Sequence, residues 1–317
     1  MASKSGTRVI ALEEHYAHPD WVEVFKAVKG SQPEFIIRRL LDLGELRLRE
    51  MDEAGIDVQV LSHTSPATQM LDAEGAVKMA GWINNALHET VRSRPDRFAA
   101  FGVLPTPDPQ GAADELERIV GKFGFKGAMI HGLTNGEFID HKKFWPIFER
   151  AAALDVPLYI HPSVPHPAVV DVYYKEYPAL IRAGWGFGVE TATQALRLIL
   201  SGVFDTYPKL KIILGHLGEG LPFSLWRAND IMAREAPMAR TVREYFCEHF
   251  YITTSGNFSF PALQCCMLEL GVDHIMFSVD YPWASNVDAM HFMDSIPVGE
   301  ADKKKMLHGN AERLLRM

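Results

Sequence analysis

Cysteine is scarce in this sequence, and positive charge is not in excess. The 317 residues include three cysteines, Cys247, Cys265 and Cys266, which form no CxxC pair and give no disulfide framework. Lysine and arginine number 32 against 40 aspartates and glutamates, so the formal net charge is −8. A nucleic-acid-binding surface, which needs a basic patch, is therefore not expected. The scarcity of cysteine fits a reducing cytoplasm.

Long apolar runs are also missing. No stretch approaches the roughly 18 apolar residues of a membrane span, and the polar start MASKSGTR lacks the apolar core of a signal peptide. Hydrophobic residues make up 47% and charged residues 23%, which is typical of globular proteins. Without repeats or linkers, the chain is predicted to be one cytoplasmic domain over residues 7–317, with a flexible N-terminus at residues 1–6.

What the sequence does contain is a series of short apolar runs rich in Val, Ile and Phe. Near-continuous apolar strands are typical of a parallel sheet that is buried on both faces. Amphipathic helical patterns with capping residues lie between the runs. The runs cover residues 8–15, 57–63, 98–105, 125–132, 156–162, 210–218, 250–257 and 274–282. The helical patterns cover residues 46–55, 76–95, 108–124, 142–155, 190–208, 260–271 and 300–317.

Eight strands that alternate with helices predict an α/β fold, a (β/α)8 TIM barrel. An open, doubly wound parallel sheet is the alternative that the same pattern allows. Two connections are long, residues 16–45 after the first strand and residues 162–189 after the fifth. Loops of this length are usually functional or disordered, and the many aromatic residues in the second argue against disorder.

Titratable side chains stand at the C-terminal ends of six predicted strands. In a TIM barrel these ends form the catalytic face. Five of the thirteen histidines lie there, and carboxylates accompany them. The residues at these ends are Glu13, His15, His63, His131, His161, His216, Glu219 and Asp280.

The first strand ends in ALEEH, with two carboxylates and a histidine in a row. Because alternate strand residues face the same side, Glu13 and His15 are predicted to face the barrel axis and Glu14 to face away. With His161 and Asp280 they would bring two imidazoles and two carboxylates to one point. Such a set is a candidate site for Zn²⁺ or Mn²⁺. The alternative is that the two histidines only form hydrogen bonds with neighbouring loops.

The segment LGHLGEGLPFSLWR contains a second candidate group. A carboxylate three residues after a histidine can orient the imidazole and raise its pKa, which suits proton transfer between His216 and Glu219. Alternatively, Glu219 caps the helix that follows. Arg227 could clamp a substrate carboxylate or form a surface salt bridge, and His63 and His131 could line the pocket or bind nothing.

Several segments together closely resemble the amidohydrolase-related decarboxylases. They are ALEEH, YIHP, IILGHLGEGLPFSLWR, ITTSGNF and FSVDYPW, and the likeness, greatest to the γ-resorcylate decarboxylases, extends over essentially the whole chain. The resemblance implies a metal-dependent TIM barrel with one divalent ion, Zn²⁺ or Mn²⁺. By motif position its ligands would be Glu13, His15, His161 and Asp280.

The same resemblance implies a reaction and a set of partners. The reaction is non-oxidative decarboxylation of an ortho-hydroxybenzoate-type acid, reversible in excess bicarbonate, by a homodimer or homotetramer without an organic cofactor. His216 and Glu219 would be the acid–base pair, and the ring carbon would take its proton from Asp280. By the resemblance Arg227, Trp185 and Phe187 would contact the substrate, and His63 and Trp283 are two further side chains expected around it.

Four departures from the family's pattern lie at the predicted mouth of the barrel. They are His63, His131, the short segment that follows His131, and the sequence ASNV after Trp283. Two alternatives therefore stay open. One is a hydrolase, in which Asp280 acts as base for a water that attacks an ester, lactone, amide or C–C bond of a small aromatic or cyclic substrate. The other is a non-catalytic metal-binding barrel, which the presence of so many titratable groups disfavours.

Overall fold

Parallel strands arranged in a barrel form the centre of the molecule. The computed structural model describes residues 6–21 and 32–317. Its strands are β1 Ile10–Tyr16, β2 Val58–His63, β3 Phe98–Ala100, β4 Gly102–Val103, β5 Ala128–His131, β6 Leu158–His161, β7 Ile212–Leu214, β8 Phe250–Thr253 and β9 Ile275–Met276. The ladders that join them are all parallel and run in chain order, from β1 to β3 and from β4 to β9.

Two seams close the barrel where ladder pairing stops. At the first, the strand predicted over residues 98–105 is interrupted at Phe101, whose N–H donates to the Leu61 carbonyl at 2.9 Å. At the second, the His15 N–H donates to the Tyr281 carbonyl at 2.7 Å, beyond the end of β9. Because the last strand meets the first, the predicted TIM barrel is confirmed, and the open doubly wound sheet is ruled out.

Helices surround the barrel and begin and end where capping residues stand. For example, Asp108 accepts the Gly111 N–H at 3.0 Å, and Gly124 ends the same helix with φ of 71°. The helices are α1 Glu34–Leu41, α2 Glu45–Ala54, α3 Ala73–Ser93, α4 Pro109–Phe123, α5 Trp145–Leu154, α6 Pro167–Val169, α7 Gly186–Leu200, α8 Val203–Thr206, α9 Leu221–Glu235, α10 Val242–His249, α11 Phe260–Leu270, α12 Asn286–Ser295, α13 Glu300–Lys304 and α14 Asn310–Leu315.

The helices that the structure describes test the prediction that the chain does not cross a membrane. Within the described ranges, none of them combines the length and the apolarity that a membrane crossing requires. The cytoplasmic location stays a prediction. The predicted flexible N-terminus, residues 1–6, lies outside the described residues except for Gly6.

Apolar side chains fill the barrel below its C-terminal end. Ile10 and Leu12 of β1 pack in this interior cluster with Tyr159, and α14 adds Leu315 at the opposite end. The register between β1 and β2 shifts between Ala11 and Glu14. The shift allows Leu12 to face the interior while its neighbour Glu13 also reaches it.

Both predicted long connections contain helices. In the first, residues 16–45, the structure places α1 and a 3₁₀ turn at Pro19–Trp21, while residues 22–31 lie outside the described part of the chain. In the second, residues 162–189, it places α6, and α7 begins at Gly186 rather than at residue 190.

Glu190 of α7 holds the connection after β6. Its side chain is 7% exposed and accepts a hydrogen bond from the backbone N–H of His166, while its Oε1 is buried without a hydrogen-bond partner. Burial raises the pKa of the Glu190 carboxyl to about 8, against the opposing effect of the His166 N–H. The carboxyl is therefore neutral in the folded protein at pH 7.

Replacing Glu190 with glutamine is expected to change the pH dependence of stability. The carboxyl ionises near pKa 4.5 in the unfolded chain and near 8 in the fold, so between these values the fold holds one more proton. The contribution of Glu190 to the free energy of unfolding then falls as pH rises, by roughly 2 kcal/mol from pH 5 to pH 7. In urea titrations, the stability of Glu190→Gln relative to wild type should rise by this amount. A difference that stays flat with pH would mean that the carboxyl is already ionised in the fold.

Candidate metal centre

Four side chains from three strand ends converge at the C-terminal end of the barrel. Glu13 and His15 come from β1, His161 from the end of β6, and Asp280 from the segment after β9. Their ligand atoms all lie within 4.8 Å of one another. His161 Nε2 is 3.1 Å from Glu13 Oε1, and His15 Nε2 is 3.4 Å from Asp280 Oδ1. The structure thus brings together the four predicted ligands, which form the metal group.

Unsatisfied polar atoms show that the metal group fits a cation. Glu13 Oε1, His15 Nε2 and Asp280 Oδ1 are buried and have no hydrogen-bond partner. Buried polar atoms are normally paired, so three unpaired atoms in one place call for a ligand. Two imidazole nitrogens and two carboxylate oxygens suit Zn²⁺ or Mn²⁺.

The carboxylates also draw positive charge into the metal group. Burial acts to raise the pKa of Glu13, but the charge of His216 and the contacts with His15 and His161 outweigh it and hold that pKa well below its usual range. Burial acts to lower the pKa of His15, yet its contacts with Asp280 and Glu13 raise it overall. An environment that favours a proton on His15 also favours a divalent cation.

Hydroxyl groups hold the second oxygen of Glu13. Glu13 Oε2 accepts hydrogen bonds from the Tyr159 hydroxyl and from Ser255 Oγ. Thr253 Oγ1 joins both donors, at 2.8 Å from the Tyr159 hydroxyl and 3.0 Å from Ser255 Oγ. With Oε2 occupied, Oε1 is left to face the centre of the metal group.

Each imidazole is oriented through its Nδ1 atom. His15 Nδ1 is 3.1 Å from Ser62 Oγ, and His161 Nδ1 lies 2.7 Å from the Pro162 carbonyl, to which it can only donate. His131 Nδ1 is 3.1 Å from His161 Nδ1. These contacts leave Nε2 of both ligand histidines for a metal ion, as the hydrogen bonds around metal sites usually do.

His216 and Glu219 form a pair beside the metal group. His216 Nδ1 is 2.7 Å from Glu219 Oε1, and its Nε2 is 3.6 Å from Asp280 Oδ2. Burial acts to lower the pKa of His216, but the negative charges of Glu219 and Glu13 raise it well above its usual value. Helix α9 begins at Leu221 without a side-chain cap, so the alternative that Glu219 caps it is not observed.

A tight turn presents this pair. His216 and Glu219 have φ of 50° and 56°, in the left-handed region that non-glycine residues rarely adopt. Gly218 and Gly220 share that region with φ of 74° and 78°. Strained backbone of this kind is often found at functional sites.

A cavity of about 950 Å³ opens beside the metal group. Asp280, His216 and Glu219 line it, and so do two of the predicted substrate contacts, Trp185 and Phe187. The aromatic and aliphatic part of its wall suits a flat apolar ring, while the titratable residues supply the few polar groups typical of a small-molecule site.

The structure places the other predicted substrate contacts away from this cavity. Arg227 is an exposed residue of α9, and Trp283 lines a separate cavity of about 320 Å³. The buried His63 ring is bonded to backbone on both sides, because Nδ1 donates to the Thr64 carbonyl at 2.9 Å and Nε2 accepts the His18 N–H at 3.2 Å. The roles of these residues at a substrate stay predictions.

Some functional neighbours were not predicted from the sequence. Tyr159 lies two residues before His161 on the same strand. Because alternate strand residues face the same side, the sequence could have predicted that both side chains face the inside of the barrel. Ser255 and Ser62 also stand at strand ends, where a polar residue faces the site. Glu14 was predicted only to face away, and no signal in the sequence indicates which groups its carboxylate contacts.

Comparison with known proteins shows the family to which this chain belongs. A family model described as amidohydrolase matches residues 38–317. The chain belongs to the amidohydrolase family. It is also 41% identical to a gamma-resorcylate decarboxylase of Polaromonas sp. (strain JS666), over 97% of this chain and 98% of that protein. The resemblance found in the sequence is therefore confirmed.

Solved structures of relatives extend the comparison to ligands. A 2,6-dihydroxybenzoate decarboxylase, solved in complex with 2,6-dihydroxybenzoate, matches with a TM-score of 0.93 and 38% identity. The match covers 98% of this chain and 100% of that one. A dihydroxybenzoic acid decarboxylase from Polaromonas sp. JS666 has a TM-score of 0.93 and 41% identity, covering 98% of this chain and 97% of that one. The latter was solved with bound manganese and the inhibitor 2-nitroresorcinol.

Proposed function

We propose that this protein is a metal-dependent carboxy-lyase. It removes CO₂ without oxidation from an aromatic acid that carries a hydroxyl group ortho to its carboxylate. The observation that supports this most is the position of Asp280, which belongs to the metal group, lies 3.6 Å from His216 and faces a cavity walled by Trp185 and Phe187.

Residues beside the metal group supply the proton that decarboxylation needs. A divalent ion held by the metal group would supply Lewis-acid charge and a template for the carboxylate and the adjacent hydroxyl. Asp280 delivers to the ring carbon that carries the carboxylate a proton that it receives from His216. Burial acts to raise the pKa of Asp280, but its contacts with His15 and His216 keep that pKa low, so the proton comes from His216. Glu219 keeps the His216 imidazole oriented and raises its pKa.

The balance of the reaction requires no oxidant. The ring carbon gains one proton and its bond to the carboxylate breaks, so CO₂ leaves and the ring regains aromaticity. Trp185 and Phe187 line the cavity and supply aromatic surface against which the ring lies. Run backwards, the same steps carboxylate the ring in excess bicarbonate.

Hydrolysis is the second function that these residues can support. Asp280 would then take a proton from a water molecule that attacks an ester, lactone, amide or C–C bond of a small aromatic or cyclic substrate. The relatives favour decarboxylation, since the gamma-resorcylate decarboxylase of Polaromonas aligns over 97% of this chain. A further relative is named decarboxylase orsB, from Emericella nidulans, at 35% identity.

We propose that the active form is a homodimer or homotetramer. Two large aromatic side chains that line the cavity are exposed, Trp185 at 58% and Phe223 at 87%. Trp226, three residues after Phe223 on α9, is 71% exposed. Apolar patches of this kind mark interaction surfaces, and exposed Arg227 follows Trp226 directly. A second copy that covers this surface would bring more residues to the cavity. The mass in solution, measured by light scattering, tests the proposal, and a monomer at assay concentration would refute it.

A panel of hydroxybenzoates tests the reaction. Manganese-loaded protein is expected to release CO₂ from 2-hydroxybenzoate or its 2,3- and 2,6-dihydroxy analogues and to leave 4-hydroxybenzoate, which lacks the ortho hydroxyl, unchanged. CO₂ and the ultraviolet spectrum are followed together. In D₂O the product should carry one deuterium at the carbon that lost the carboxylate. Loaded protein that leaves the whole panel intact but cleaves esters or lactones would favour the hydrolase.

A further inference from the structure

Three of the four residues of the metal group lie at one seam of the barrel. Glu13 and His15 stand on β1, and Asp280 stands on the segment after β9. No ladder joins β1 to β9 among the described strands, whose pairing ends at β9 on one sheet and begins at β1 on the other. The distance between these ligands is therefore not set by a regular sheet.

The carboxylate of Glu14 takes the place of a ladder. Glu14 is fully buried, and its Oε1 accepts the Val279 N–H at 2.9 Å while its Oε2 accepts the Tyr281 N–H at 3.3 Å. These two amides flank Asp280. Glu14 lies between the ligands Glu13 and His15 in the chain. Its carboxylate therefore binds the backbone on both sides of Asp280, the ligand across the seam.

Ser278 adds a second link across the seam. Its Oγ accepts the Glu13 N–H at 2.7 Å and donates to Glu14 Oε1 at 3.3 Å. Backbone alone also crosses the seam, where the His15 N–H donates to the Tyr281 carbonyl at 2.7 Å. Side chains therefore carry much of the connection between the two ligand-bearing segments.

Asp280 needs this support because its backbone is strained. Its φ is 72°, in the left-handed region that residues other than glycine rarely adopt. Such a conformation persists where the surroundings hold it. The two hydrogen bonds from the flanking amides to Glu14 hold the backbone on either side of the strained residue.

We propose that Glu14 is a positioning residue that sets the separation of His15 and Asp280 and thereby the affinity for the metal ion. The inference rests on the proposed metal group and deepens it. Glu14 is not itself a ligand, because both of its oxygens accept hydrogen bonds from the seam. Partners that orient metal ligands typically change metal affinity by about 10–100-fold when they are replaced.

The test measures Mn²⁺ affinity rather than activity. Free Mn²⁺ is followed by electron paramagnetic resonance during titration of the metal-free protein. Glu14→Gln keeps the size of the side chain but turns an N–H₂ group toward the seam amides, and it should weaken Mn²⁺ binding by about 10–100-fold. Glu190→Gln is the matched control, because Glu190 is another buried carboxyl that lies outside the metal group, and its Mn²⁺ affinity should equal that of wild type.

The outcomes separate positioning from mere stability. Thermal unfolding of the metal-free proteins is recorded alongside the titrations. A folded Glu14→Gln variant that is less stable yet binds Mn²⁺ as wild type does would overturn the proposal. If Glu14→Gln does not fold, Ser278→Ala carries the test, with an expected loss of about tenfold in affinity, the lower end of the usual effect of such partners, and unchanged affinity would again overturn it. The test measures Mn²⁺ affinity and not turnover, so its result stays valid even if the protein does not decarboxylate hydroxybenzoates.

Discussion

Replacing Asp280 with asparagine should lower kcat for decarboxylation by about 10³-fold while Mn²⁺ remains bound. The amide has nearly the same shape, and its oxygen can still face the metal group where Asp280 Oδ1 lies 3.4 Å from His15 Nε2. It carries no acidic proton, so the ring carbon loses its donor. His216, whose Nε2 is 3.6 Å from Asp280 Oδ2, also loses the carboxylate to which it returns a proton.

Two measurements on the same sample check this expectation. kcat is determined with saturating substrate and Mn²⁺, and bound Mn²⁺ is counted by electron paramagnetic resonance. Asp114→Asn is the control, since Asp114 is an exposed residue of α4 that pairs with Arg150 on the outside of the barrel. A variant with normal turnover would remove Asp280 from the proton step, and a variant that loses Mn²⁺ would reduce its role to that of a ligand.

The site was predictable from the sequence to the extent that strand ends determine it. A TIM barrel brings the C-terminal ends of its strands to one face, so Glu13, His161 and Asp280 could be placed together without any knowledge of the loops. His216 could be added because Glu219 follows it at a spacing that allows a hydrogen bond, which the structure shows at 2.7 Å.

The rest depends on contacts between residues far apart in the chain. Glu14 meets Val279 across 265 positions, and no local pattern encodes which amide a buried carboxylate will meet. His63 stands at a strand end like the other site histidines, yet its two nitrogens are taken by backbone groups in neighbouring loops. The interruption at Phe101 arises in the same way, because the register of strands in the closed barrel decides it.

Removing the divalent ion is expected to abolish decarboxylation and also to destabilise the fold. Without a cation, the buried carboxylate of Glu13 and the half-buried carboxylate of Asp280 lie near each other, and three polar atoms of the metal group have no partner. Their charge must then be balanced by protons on His15 and His216, whose pKa values the group raises. A cation that binds only the folded state stabilises it, by about 2.7 kcal/mol at a free concentration of 100 times its Kd.

The measurement compares chelated, dialysed protein with the same protein after metal is added back. Activity should be absent without metal and return with Mn²⁺ or Zn²⁺, and the Tm should rise as the metal is bound. Mg²⁺ is the control, because it prefers all-oxygen sites and the two imidazoles of His15 and His161 suit it poorly. Full activity in the metal-free protein would contradict the proposed mechanism. A rise in Tm with Mn²⁺ but no recovery of activity would instead show that the ion binds the folded protein without supporting decarboxylation, since binding and chemistry would then be separated in one experiment.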